Sequence, residues 1–171
     1  MKNYIESYRL WESNQFPMGM RLAKPVDLTD SEIRQIEEVD WKELDWNEAG
    51  DDGKNIVWLD LISPFNENIR NGVIVDIQLI GDHIYQVHIS LADSLQGMGL
   101  GSKIYRSLVN WAGHLYSGKG RRHNPLVNKI WKGLKDQTGV MCISSTLGDI
   151  CISNNNPDKD LLASIFNRIS S

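Results

Sequence analysis

Cysteine is nearly missing, with two residues in 171, and proline is sparse at five. Cys142 and Cys151 stand in apolar segments with no CxxC spacing and no histidines around them. That pattern predicts buried free thiols ahead of a disulfide or a ligand role, and it offers nothing to redox or metal chemistry. An excess of positive charge is also missing. Eighteen Lys and Arg face 22 Asp and Glu, for a formal charge of −4, which removes the general electrostatic case for nucleic acid or an anionic membrane as partner. No apolar run is long enough to span a bilayer, and "MKNYIESYRLWESN" lacks the hydrophobic region of a signal peptide, so a soluble, cytoplasmic protein is expected. Internal repeats and low-complexity tracts do not occur.

What is present is enough for a core. Hydrophobic residues make up 41% of the chain, six of them tryptophan, and the length suits a single domain over 1–171. Residues 1–28 lack periodicity and read as an irregular arm with room for one strand near "MGMRLA". "TDSE" is a capping box with Thr29 as N-cap, and Ile33, Ile36 and Val39 then share a helical face up to about Leu44. "NEAGDDGKN" (47–55) reads as a loop and "IVWLDLI" (56–62) as a strand. Residues 72–92 alternate as a hairpin about Gly81-Asp82, with Val73, Val75, Ile77 and Leu79 facing one way and Tyr85, Val87, Ile89 and Leu91 matching them.

Leu100, Ile104, Leu108, Trp111 and Leu115 then space a helix over about 99–114, followed by a short strand at "HLYS". Asn124-Pro125 opens a second helix that buries Val127, Ile130, Trp131 and Leu134 and ends before Gly139. "VMCIS" and "DICIS" form a closing pair of strands, and a last helix is expected from Asn156-Pro157. The order indicates an α+β (mixed α/β) domain with one central, mostly antiparallel sheet.

The chemically suggestive segment is "SLQGMGLGSKIY" (94–105). Glycines between a strand and a helix allow positive φ and leave N–H groups at the positive end of the helix, an arrangement suited to an anion such as a diphosphate or to a tight turn that only packs. The Rossmann pattern fails because Ser102 stands where its third glycine belongs. "GHLYSGKG" misses a P-loop because Gly120 replaces the magnesium-binding Ser or Thr.

Gln/Arg-x-x-Gly-x-Gly/Ala does fit, through Gln96, Gly99 and Gly101. Here the sequence resembles the GCN5-related N-acetyltransferase (GNAT) superfamily, over roughly residues 56–145. The segment "NPLVNKIWKGL" is similar to GNAT-like proteins that phages encode. The resemblance implies a sheet with a splayed central strand flanked by helices, acetyl-CoA as co-substrate, and transfer of the acetyl group to an amine of a small molecule or protein. It assigns the diphosphate to the loop, Gln96, Gly97, Met98, Gly99, Gly101 and Ser102, with Gly97 dispensable to the motif and side chains at 99 or 101 blocking the ligand. The backbone at Ile89 and Leu91 is assigned to the pantetheine arm, and Asn124 to the cofactor. No metal is expected, and a homodimer is compatible with the family.

The family's usual thiolate-protonating Tyr is replaced by Trp131, either a core residue or a wall of the acyl pocket. Tyr116 can substitute as acid or be structural. Transfer to an amine also needs a base, for which Asp76, His88 and Asp93 are candidates, each more readily read as a solvated or satisfied structural residue. "GKGRRH" (118–123) is the densest positive stretch, suited to CoA phosphates, to an acidic substrate, or to solvent alone. Because acid and base are both unsettled by the motifs, a GNAT-fold binding or structural module without turnover is the alternative to an enzyme.

Overall fold

The computed structural model describes residues 21–80, 84–117, 125–145 and 148–153, together with 160, 164 and 167. Helix α1 (Asp30–Glu38) begins where the capping box predicts: Thr29 Oγ1 accepts from Glu32 N at 3.2 Å and Glu32 Oε2 from Thr29 N at 2.8 Å. With Asn66 and Asn68 also donating to it, the Glu32 carboxyl is held down to about 2. The helix stops six residues short of Leu44. Val39 turns extended, and Asp40 and Glu43 form a second capping box around a 3₁₀ turn at Trp41–Glu43. A fresh start signal so close to the first cannot be absorbed within one helix.

Strand β1 (Asp45–Asp51) overturns the expected loop at 47–55. It pairs antiparallel with β2 (Ile56–Ser63) in a register interrupted twice. Its sequence is polar because it is the outer strand of the sheet, and only Trp46 is buried, its Nε1 donating to Ser107 Oγ at 2.9 Å. Charged edges of this kind discourage pairing with other chains. The real turn is Asp52–Asn55, held by Asp52 Oδ1, which accepts from the backbone N–H of Lys54, Asn55 and Ile56 at 2.9–3.0 Å. These bonds lower the Asp52 pKa. A short helix not anticipated from the sequence, α2 (Glu67–Asn71), follows β2 with Asn66 as its N-cap.

Strands β3 (Val73–Ile80) and β4 (Ile84–Leu91) form the expected hairpin, with Val73 opposite Leu91, Val75 opposite Ile89 and Ile77 opposite Val87. Helix α3 (Leu100–Ala112), β5 (His114–Tyr116), α4 (Pro125–Lys135), β6 (Val140–Ser145) and β7 (Gly148–Ser153) complete the described fold. Of the predicted C-terminal helix only residues 160, 164 and 167 are described, all helical; the Gly81-Asp82 turn and the first half of "MGMRLA" lie outside the described residues, and Arg21–Ala23 are not strand.

The seven strands make one mixed sheet in the order β1-β2-β3-β4-β5-β7-β6, antiparallel throughout except for β4 beside β5. The α+β expectation therefore holds. One sheet face carries the core: Trp46, Leu59, Leu61, Val75, Ile77, Val87, Leu115 and Cys151 pack with Ile36 of α1, Leu100, Ile104 and Leu108 of α3, and Trp131 and Leu134 of α4. Each such side chain contributes about 1.5–3 kcal/mol by leaving water. Trp111 departs from the predicted stripe and is 40% exposed. The other sheet face presents Trp58, Asp76, Gln78, Gln86, His88 and Ser90, over which the segment from Arg21 is tied down.

The cysteines are not free thiols. Cys142 and Cys151 are directly paired across β6 and β7 and joined as a disulfide. Their spacing of nine in sequence gave no such hint, because it is strand register that brings them together. Among the described residues no helix is long and apolar enough to cross a membrane.

Candidate functional site

Strand β4 ends at Leu91, and the chain makes a 3₁₀ turn (Asp93–Leu95) anchored by the fully buried Leu95. The glycine segment then enters α3. Gly97 has φ +82° and Gly99, the N-cap, φ +78°. Both values lie in the left-handed region that only glycine visits freely, so Gly97 is demanded by the backbone rather than dispensable. A Cβ built on either would meet no atom within 4 Å and would project into open space. No side chain caps α3, and its first helical bond, from Lys103 N to Gly99 O, leaves the N–H groups of Leu100, Gly101 and Ser102 in the unbonded first turn.

Gly101 plays a different part from the one expected. It lies inside α3 without positive φ, and its Cβ position faces Ile130 Cδ1 at 3.5 Å and Leu91 Cδ1 at 3.9 Å. The small residue lets α3 sit close to α4, and a methyl group there would meet the core instead of a ligand. Met98 is half-buried against the core and anchors the loop. The Gln96 amide donates to Leu91 O at 3.2 Å, tying the loop to the end of β4. Gln96 and Ser102 are both exposed, but with the Gln96 amide turned back to Leu91 O it is Ser102 that leaves a polar side chain facing outward. The loop thus offers backbone N–H groups and one hydroxyl, held by three side chains that point elsewhere.

Beside the loop, β4 runs parallel to β5, which ends at Tyr116. Among the described residues their parallel pairing aligns a single pair, Gln86 with Tyr116. Past that point the five residues of β4 from Val87 to Leu91, Ile89 and Leu91 included, pair with β3 alone. From Val87 to Leu91 the strand runs on toward the glycine loop.

Strand alternation places His88 and Tyr116 on the same sheet face, on adjacent parallel strands, because Tyr116 is level with Gln86. Burial lowers the His88 pKa to about 4, so its imidazole is neutral at pH 7, and its Nε2 lies 3.3 Å from Gln78 Oε1. Tyr116 is buried, which raises its pKa and keeps the phenol protonated. Asp93 is exposed at the end of β4, apart from this pair.

Asp76 is withdrawn from consideration as a base. It is 1% exposed and gripped by Arg21, whose backbone N, Nε and Nη2 reach its carboxylate at 2.9, 3.0 and 2.9 Å. Trp131 is settled as core: it is 1% exposed and packs edge-on to Tyr105, ring centres 5.7 Å apart. Asn124 and "GKGRRH" lie outside the described residues.

Two features of the region were missed in the sequence. Gln78, the neighbour of His88, could have been found by carrying the strand alternation through to its polar face. A groove of about 270 Å³ lies along the outer side of α3, lined by Val39, Asp40, Trp41, Ser102, Arg106 and Gln137 among others. The Ser102 and Arg106 spacing, one helical turn, was a readable signal, whereas Trp41 reaches them only through the fold. Among the described residues no group of three His, Cys, Asp or Glu side chains is placed to hold a metal. Comparison with models of known families, with curated proteins and with solved structures finds no match to this chain.

Proposed function

We propose that the protein is an acyl-CoA-dependent N-acyltransferase with a GNAT-like fold, acting by direct transfer in a ternary complex. The observation that carries this reading is the positive-φ glycine turn at the start of α3, which follows β4, the strand lying parallel to β5. A diphosphate suits the first-turn N–H groups and the helix dipole. The arm that follows it would lie along β4 beside Ile89 and Leu91, with the thioester near Gln86 and Tyr116.

In this scheme neutral His88 removes a proton from the acceptor's ammonium group. The freed amine attacks the thioester carbonyl, and backbone N–H groups of β4 stabilise the oxyanion that forms. The C–S bond then breaks and the amide forms, Tyr116 giving its proton to the departing thiolate and regaining one from the nitrogen as it becomes the amide. Orientation of two bound substrates supplies the remainder of the rate.

The test is release of thiol from acetyl-CoA over a panel of amines, peptides and aminoglycosides. Turnover with an acceptor is expected, falling about 10²- to 10⁴-fold in His88→Gln. A second reading, a CoA-binding module without turnover, is favoured by the burial of Trp131 where the family's acid usually stands. CoA binding without thiol release from any acceptor would select it.

A further inference from the structure

The groove on the outer side of α3 contains a cation, Arg106, stacked on an aromatic ring. Arg106 lies with its guanidinium carbon 4.6 Å from the centre of the Trp41 ring. Among the described residues it meets no carboxylate and no hydrogen-bond acceptor, in a chain with more acids than bases. A stacked guanidinium is held in one orientation while its N–H donors stay available at the edge.

Its neighbours reinforce the positive character. Ser102, one turn back toward the glycine loop, is exposed and lines the same groove. Lys103 also lines it, its ammonium bound to the carbonyls of Ile36 and Glu37 at 3.1 and 2.8 Å. The acid in the lining, Asp40, is turned back on its own loop, Oδ1 accepting from Lys42 N at 2.9 Å. Gln137 Oε1 is buried in the lining without a hydrogen-bond partner among the described residues, an acceptor available to a ligand donor.

We propose that this groove is a phosphomonoester subsite, in which Arg106, presented by Trp41, and the hydroxyl of Ser102 receive the 3′-phosphate of coenzyme A. The inference rests on the reading that a CoA diphosphate occupies the glycine loop, since Ser102 belongs to both the loop and the groove. Arg–phosphate pairs are charge-assisted and two-pronged, so the subsite distinguishes CoA from the same molecule without that phosphate.

The experiment is calorimetric titration of the full chain with CoA, dephospho-CoA and inorganic phosphate, repeated on Arg106→Gln and Arg106→Lys after circular dichroism confirms their fold. Wild type is expected to bind CoA about tenfold tighter than dephospho-CoA. Arg106→Gln should equalise the two by weakening CoA alone, and Arg106→Lys should restore only part of the preference because it lacks the planar fork. Equal affinities in wild type, or a preference that survives Arg106→Gln, overturn the subsite while leaving the loop assignment standing. Tight binding of inorganic phosphate with no preference for CoA assigns the groove to free phosphate and also overturns it. Binding of neither CoA nor dephospho-CoA removes the functional reading and this inference together.

Discussion

Three glycines within five residues do different work at residue scale. Gly97 and Gly99 hold left-handed backbone, while Gly101 spaces two helices. Gly101→Ala should therefore be tolerated, and because it replaces a glycine inside a helix it should raise stability by about 0.5–1 kcal/mol in urea unfolding, with ligand binding unchanged. Gly99→Val forces a branched residue to φ +78°, which costs about 1–2 kcal/mol, and places its side chain in the open space above the turn. The protein should remain folded and lose CoA binding. His88 gives a further prediction. Its folded pKa, about 4, lies below the unfolded value near 6.5, so the unfolded chain takes up a proton that the folded one refuses. Stability is then fully present above pH 6.5 and falls as the pH drops toward 4, by up to about 3 kcal/mol. His88→Gln should flatten that slope in denaturant titrations between pH 4 and 7.

At the scale of elements, the hairpin of β3 and β4, both main helices and the short strand between them could be read in the sequence because each had its own periodicity and end signals. β1 could not. An outer strand with one buried residue shows no alternation, so its sequence looks like a loop. The end of α1 was misplaced because Val39 continues the apolar spacing right up to the second capping box at Asp40 and Glu43. The site was half legible: the loop stood out through its glycines, but the split of roles among them depended on φ and on what faces each Cα. The β6 and β7 pair carries its own test. The disulfide predicts no titratable thiol in the unreduced, unfolded chain and two after reduction. A count of two before reduction would return Cys142 and Cys151 to free thiols.

For the whole molecule, the segment from Arg21 is fastened across the polar sheet face by the ion pair of Arg21 with the buried Asp76 and by the bond from Ala23 N to Ser90 Oγ. Removing only one partner leaves a charge stranded in the sheet. Arg21→Ala should destabilise by about 3–5 kcal/mol, and adding Asp76→Asn should recover part of that loss, as read by urea unfolding of the single and double variants. The same sheet joins the two halves of the proposed site, with His88 on β4 and Tyr116 on the adjacent parallel strand β5. The proposed function depends on the glycine turn beyond β4 being a place for CoA. The most direct measurement is calorimetric titration of the wild-type chain and Gly99→Val with CoA up to hundreds of micromolar. Saturable binding to wild type and none to the folded variant is the result predicted; no heat of binding with wild type, or equal binding to both, would contradict it.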